Sequence, residues 1–119
     1  MSKKVLIVDD EEGVRESLRL ILADYYDLIV TDNGEQALET LKNAKDVAVI
    51  LMDIKMPRKS GLEVLKEIKA LYPHIRVIIV TGYRLVETAQ EAVRLGASGY
   101  IVKPFKSEEI LGTVRKNLK

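Results

Sequence analysis

The residues Val47-Ala48-Val49-Ile50-Leu51-Met52 form an uninterrupted apolar run that stops at Asp53. Val5-Leu6-Ile7-Val8, stopping at Asp9-Asp10, and Val77-Ile78-Ile79-Val80, stopping at Thr81-Gly82, have the same character. Successive side chains of a strand point to opposite faces, so a strand with one face in water alternates apolar and polar residues. These runs do not alternate. Strands made from them must be covered on both faces, as the strands of a parallel sheet are. Shorter runs at Leu28-Ile29-Val30 and at Tyr100-Ile101-Val102, which closes on Lys103-Pro104, complete a set of five.

Parallel neighbours need crossover connections, usually helical, and the intervening segments have helical spacing. Val14, Leu18, Ile21 and Leu22 share a face of the first. Ala37, Leu38 and Leu41 mark the second, and Leu65, Ile68 and Tyr72 the third. Ala89, Ala92 and Val93 mark the fourth, and Ile110, Leu111, Val114 and Leu118 the fifth; each set predicts an amphipathic helix facing a core. Start signals agree with this phasing. Ser60 with Glu63 reads as a capping box, as does either Asp32 with Glu35 or Asn33 with Gln36. Ser107 precedes Glu108-Glu109, acids suited to a first helical turn, and Gly96 is placed to end the fourth helix. The reading is an α/β fold, (βα)5, with right-handed crossovers that put helices on both faces of a five-stranded parallel sheet. A length of 119 residues fits one domain, 1–119, with no linker or repeat and no output domain expected.

Charge is almost balanced, 19 Lys+Arg against 18 Asp+Glu. Direct nucleic-acid binding through bulk charge is therefore not expected. Disulfides, thiolate metal sites and cysteine nucleophiles are excluded by the absence of cysteine. No apolar run approaches the ~20 residues of a membrane span, and the run after Met1-Ser2-Lys3-Lys4 is too short for a signal-peptide core. A cytoplasmic protein with no membrane partner is the expectation.

In open α/β sheets, ligands bind outside the carboxyl ends of the strands, where the strand order reverses. The strands predicted here deliver Asp9, Asp10, Asp53, Thr81 and Lys103 to that one edge. At ~4 Å and an effective dielectric of ~20, each pair of like charges costs about 4 kcal/mol, so three clustered carboxylates call for a cation or raised pKa values. An incomplete all-oxygen cage suits Mg²⁺, which keeps waters and shares its shell with phosphate oxygens. The same set suits phosphoryl transfer. A carboxylate can be the nucleophile, a lysine can neutralise equatorial oxygens, Thr81 can donate to one, and Gly82 intrudes no side chain. Each residue also has a plainer reading. Asp9-Asp10 or Thr81 could cap the following helix, Lys103 could be a solvated lysine, and Tyr100 a packing residue. His74, and Lys66, Glu67 and Lys69 along the third helix, read as solvated surface.

Asp9-Asp10, Met52-Asp53-Ile54-Lys55-Met56-Pro57 with Gly61, Val80-Thr81-Gly82 and Lys103-Pro104-Phe105 together resemble the receiver-domain signature of two-component response regulators, over residues 4 to 118. The resemblance implies a flavodoxin-like sheet of order 2-1-3-4-5, with Asp53 as phosphoacceptor. It implies Mg²⁺, for which Mn²⁺ can substitute, held by Asp9, Asp10, Asp53 and the backbone carbonyl of Lys55. Thr81 and Lys103 would sense the phosphoryl group, Tyr100 would be the aromatic switch, and Lys103–Pro104 would be a cis peptide. Gly82, Tyr83 and Pro104 would flank the site, with Lys55 and Tyr83 at its variable positions. The partners implied are a sensor histidine kinase or phosphotransfer protein. An output partner or a second copy would bind the fourth helix, fifth strand and fifth helix, where Glu87, Glu91, Arg94 and Arg115 mix charge. Such a domain is a self-phosphorylating switch rather than an enzyme acting on external substrates. Other classes are a degenerate receiver that only binds partners, a haloacid-dehalogenase-type phosphatase and a flavodoxin. The phosphatase would want an acid where Lys55 stands, and the flavodoxin a Ser/Thr/Gly-rich loop where Asp9-Asp10 stand.

Overall fold

The computed structural model describes residues 3–118. Strands and helices alternate along the chain: β1 Lys4–Val8, α1 Glu12–Leu22, β2 Asp27–Thr31, α2 Gly34–Asn43, β3 Val47–Met52, α3 Gly61–Leu71, β4 Arg76–Thr81, α4 Val86–Arg94, β5 Gly99–Val102 and α5 Ser107–Asn117. All strand pairs are parallel, in the order β2-β1-β3-β4-β5. The sheet order expected from the resemblance is the one found.

The central strands split their side chains between two cores. Leu6, Val8, Ile50, Met52, Val77 and Ile79 point to the side of α2, α3 and α4, against Ala37, Leu41, Val64, Leu65, Ile68 and Ala92. Val5, Ile7, Val49, Leu51, Ile78 and Val80 point to the side of α1 and α5, against Leu18, Leu22, Ile110 and Val114. This is why those runs are apolar throughout. At roughly 1.5–3 kcal/mol for each fully buried large side chain, the two layers supply most of the drive to fold. β2 is an edge strand with much of its length exposed, which accounts for its shorter apolar signal.

Local signals fix the helix ends. Ser60 and Glu63 form the reciprocal capping box expected of them. At α2 the cap is Asn33, whose side chain accepts from the Gln36 amide. Gln36 Oε1 in turn accepts from the amide of Asp32, not of Asn33. Helix α4 closes on Gly96, whose φ of 108° lies in the left-handed region. The Ala97 amide donates to Ala92 O and the Gly96 amide to Val93 O, the paired bonds of a Schellman ending. Ser107 is the first residue of α5, and Lys106 precedes it as the cap.

Two sequence expectations fail. Val93 is 62% exposed, not core. Of α4 only Ala92 is fully buried, and its larger apolar side chains, Val86 and Val93, face solvent. Lys69 is not a solvated face residue. Its ammonium donates to the carbonyls of Pro73 and Ile75, its stem lies where a Cβ on Gly96 would sit, and burial, with Arg76 nearby, lowers its pKa. No helix among the described residues is long and apolar enough to cross a membrane.

Candidate functional site

β1 and β3 are adjacent although β2 lies between them in the chain, so the order of strands reverses at this pair. Val8 pairs with Met52, which puts Asp9 and Asp53 side by side just past the strand ends. The Asp53 amide continues the ladder to Val8 O and the Asp9 amide to Thr31 O. Both carboxylates are nearly sealed from solvent, Asp9 at 1% and Asp53 at 4% exposure. Oδ1 of Asp53 accepts from the amides of Ile54 at 2.7 Å and Lys55 at 3.3 Å. Oδ1 of Asp9 accepts from the Glu11 amide.

Across the sheet, β5 delivers Lys103. Its amide donates to Thr81 O at 2.8 Å, and its bond to Pro104 is cis, as the resemblance implies. Lys103 Nζ lies 2.9 Å from Asp53 Oδ2, 3.0 Å from Asp9 Oδ2 and 3.1 Å from Glu11 Oε1. Burial works against the ammonium's charge, but the hydrogen bonds and fields of Asp53 and Asp9 outweigh it and raise its pKa. Burial also raises the pKa of Asp9, against the opposing pull of the Glu11 amide and Lys103, and Asp53 adds to the rise.

Asp9, Asp10, Glu11 and Asp53 each place a carboxylate oxygen within 4.8 Å of the others. Lys103 and Arg15, whose guanidinium donates to Asp9 O, supply two positive charges against four negative ones. An excess of negative charge remains, and the donors are all hard oxygens. That set fits Mg²⁺ or Mn²⁺. Asp10 is solvent-exposed while Asp9 is buried, so the two neighbours meet an incoming cation differently. Glu11 was not singled out from the sequence, although it extends the acidic run Asp9-Asp10-Glu11. Its bond to Lys103 spans 92 residues.

The loop after Asp53 is pinned. A Cβ on Gly61 would lie 2.1 Å from Asp53 O, and the Gly61 amide donates to Ile54 O. Arg58 holds a left-handed φ of 68° and donates from Nε to both oxygens of Glu35 on α2. Thr81 is buried at the end of β4. It does not cap α4, whose cap is Leu85. Gly82, Tyr83 and Pro104 are exposed around the site, and a Cβ on Gly82 would meet nothing. Tyr100 is half-buried and donates its hydroxyl to Tyr83 O at 2.9 Å; burial, with Asp53 behind it, raises its pKa. Beside Tyr100 runs an apolar groove of about 410 Å³ formed with Leu85, Val86, Ala89, Val93 and Val102.

The sequence profile of the response regulator receiver domain matches residues 5–115. The chain belongs to this family. It is 38% identical over 119 residues to sporulation initiation phosphotransferase F of Bacillus subtilis, covering 99% of this chain and 95% of that one. To the chemotaxis protein CheY of Halobacterium salinarum it is 36% identical over 115 residues, 96% of this chain and 95% of that one. Against the response regulator protein FleR of Pseudomonas aeruginosa, 35% identical, it spans 25% of the relative's length. Among solved structures, a CheY-like receiver domain from Methanospirillum hungatei superposes with a TM-score of 0.93 at 30% identity, covering 99% of this chain and 94% of that one. CheY4 of Vibrio cholerae does so with 0.91 at 31%, covering 98% of each. Receiver domains of this family are signalling switches, and the geometry above belongs to one of them.

Proposed function

We propose that this receiver domain accepts a phosphoryl group on Asp53 from a histidine kinase or phosphotransfer protein, in a reaction that requires Mg²⁺. The observation that carries the reading is Lys103 Nζ, held 2.9 Å from a nearly buried Asp53 carboxylate. An Asp53 oxygen attacks phosphorus, and the P–N bond of the donor phosphohistidine breaks with its electron pair going to the imidazole nitrogen. The Ile54 and Lys55 amides hold the Asp53 carboxylate in a fixed orientation, so little reorganisation precedes attack. Lys103 carries its charge to the equatorial oxygens. Asp9, Asp10, Asp53 and the Lys55 carbonyl would hold the cation, which when bound supplies further positive charge to those oxygens. Lys103 and the buried Asp9 carboxylate stay paired meanwhile, which keeps the ammonium in place.

Switching follows from the same residues. Thr81 would donate its hydroxyl to a phosphoryl oxygen, drawing in the loop that carries Gly82 and Tyr83. Tyr100 is hydrogen-bonded to the Tyr83 carbonyl and would move with that loop. The bistable element would be the loop from Gly82 to Leu85 and α4, with an output partner or a second copy reading α4, β5 and α5. The apolar side chains left exposed there, Leu85, Val86 and Val93, favour such a partner.

The experiment is intact mass after incubation with a small acyl phosphate, with and without Mg²⁺, for wild type and Asp53→Asn. Wild type with Mg²⁺ should gain about 80 Da, the phosphoryl group of an aspartyl phosphate. Uptake by Asp53→Asn at the wild-type rate, or none by wild type, refutes the assignment.

A further inference from the structure

An ammonium has three N–H groups, and in this site three carboxylates take them: Asp53, Asp9 and Glu11. A further acceptor must displace one. The three are not equivalent. Asp53 and Asp9 are almost fully buried, and each is fixed through its other oxygen by backbone amides. The Glu11 side chain is 63% exposed, and Lys103 is its only hydrogen-bond partner among the described residues. The Glu11 backbone is anchored independently. Its amide donates to Asp9 Oδ1, its carbonyl accepts from the Arg15 amide, and its side chain makes no capping bond to α1. The carboxylate can therefore swing into water while the chain around it stays put. Glu11 and Lys103 also face one groove of about 500 Å³, shared with Gly13, Val14 and Phe105, so the space into which Glu11 would turn is open.

We propose that Glu11 is a displaceable latch on Lys103: its carboxylate occupies the ammonium N–H that a phosphoryl oxygen on Asp53 would take, and so slows phosphoryl uptake from small anionic donors. This role rests on Asp53 being the acceptor. It is distinct from metal binding, which the nearness of Glu11 to the other acids would also permit.

The test is the rate of phosphoryl uptake from a small acyl phosphate with Mg²⁺ for wild type, Glu11→Ala and Glu12→Ala. Glu12 is the next residue, also exposed, and its removal changes net charge by the same amount. Glu11→Ala should be about two- to fivefold faster than wild type, the range an exposed ion pair permits, and Glu12→Ala should match wild type. The rise in melting temperature with Mg²⁺ should persist in Glu11→Ala at saturating Mg²⁺, since Asp9, Asp10 and Asp53 remain. Equal acceleration by both variants would mean a general charge effect, and unchanged or slower uptake by Glu11→Ala would mean no latch; either overturns the proposal. Loss of the Mg²⁺ effect in Glu11→Ala would make Glu11 a ligand and overturn it as well. Should no protein, wild type included, take up phosphate, it is the assignment of Asp53 that fails, and the latch with it.

Discussion

Replacing Lys103 by Met removes the one ammonium between two nearly buried carboxylates while keeping a similar side-chain length. The side chains of Asp53 and Asp9 are 5% and 2% exposed and that of Lys103 is 15% exposed. Breaking a buried pair by deleting one partner costs about 3–5 kcal/mol. The exposed bond to Glu11 adds at most about 1 kcal/mol. Because Lys103 keeps some contact with solvent, the lower end applies, about 3 kcal/mol at pH 7, or a fall in Tm of roughly 10–15 °C for a domain of this size. The raised pKa of Lys103 means its contribution is fully present below its unfolded value of about 10.4 and is lost only as pH rises through the folded value, so at pH 7 wild type carries all of it. In the variant the pull of Lys103 on Asp9 is gone, while burial and Asp53 still raise the Asp9 pKa. A carboxyl whose folded pKa is raised binds its proton more tightly folded than unfolded, so stability rises as pH falls through that pKa. The variant's deficit should therefore shrink as pH falls from 7 toward the ordinary carboxylate range. Adding Asp53→Asn should recover about 2 kcal/mol, within the range for directly coupled residues. The assay is thermal melting in EDTA of wild type, Lys103→Met, Asp53→Asn and the double variant. A Lys103→Met Tm close to that of wild type at pH 7, or a deficit that does not narrow on acidification, would refute the electrostatic account.

Mg²⁺ should raise the Tm of wild type by mass action on the native state; Asp10→Asn should melt higher than wild type in EDTA and gain less from Mg²⁺, as a Tm titration will show. Gly61→Ala should cost about 1–3 kcal/mol in denaturant unfolding, because its Cβ would meet the backbone of Asp53 and Ile54, and should slow phosphoryl uptake by displacing the acceptor loop. If the side chains of Lys55 and Tyr83 shield the phosphoryl group from water, the double variant Lys55→Ala, Tyr83→Ala should lose phosphate faster than wild type after donor removal; equal decay would show that shielding does not set the lifetime.

Glu11 shows where sequence reasoning stops. The acidic run was visible, but nothing local says that its third member reaches a lysine 92 residues away. That contact depends on how β1 and β5 are spaced and twisted across the sheet. Lys69 is a similar case. By spacing it belongs to a solvated face, and only the packing of α4's end against α3 turns its stem inward. At α2 the sequence offers two caps of equal quality, and in the fold it is the Asn33 side chain that accepts from the Gln36 amide.

What the sequence determined by itself is the alternation of strands and helices, the two-sided burial of the central strands, and the delivery of Asp9, Asp53, Thr81 and Lys103 to one edge. Those follow from side-chain periodicity and from the residue that ends each run, properties that act over a few positions. Tertiary structure alone decided which acids share the ammonium, that Asp9 is sealed while Asp10 is exposed, and that Val93 faces solvent. Each of these depends on distances between elements far apart in the chain, which local patterns do not encode.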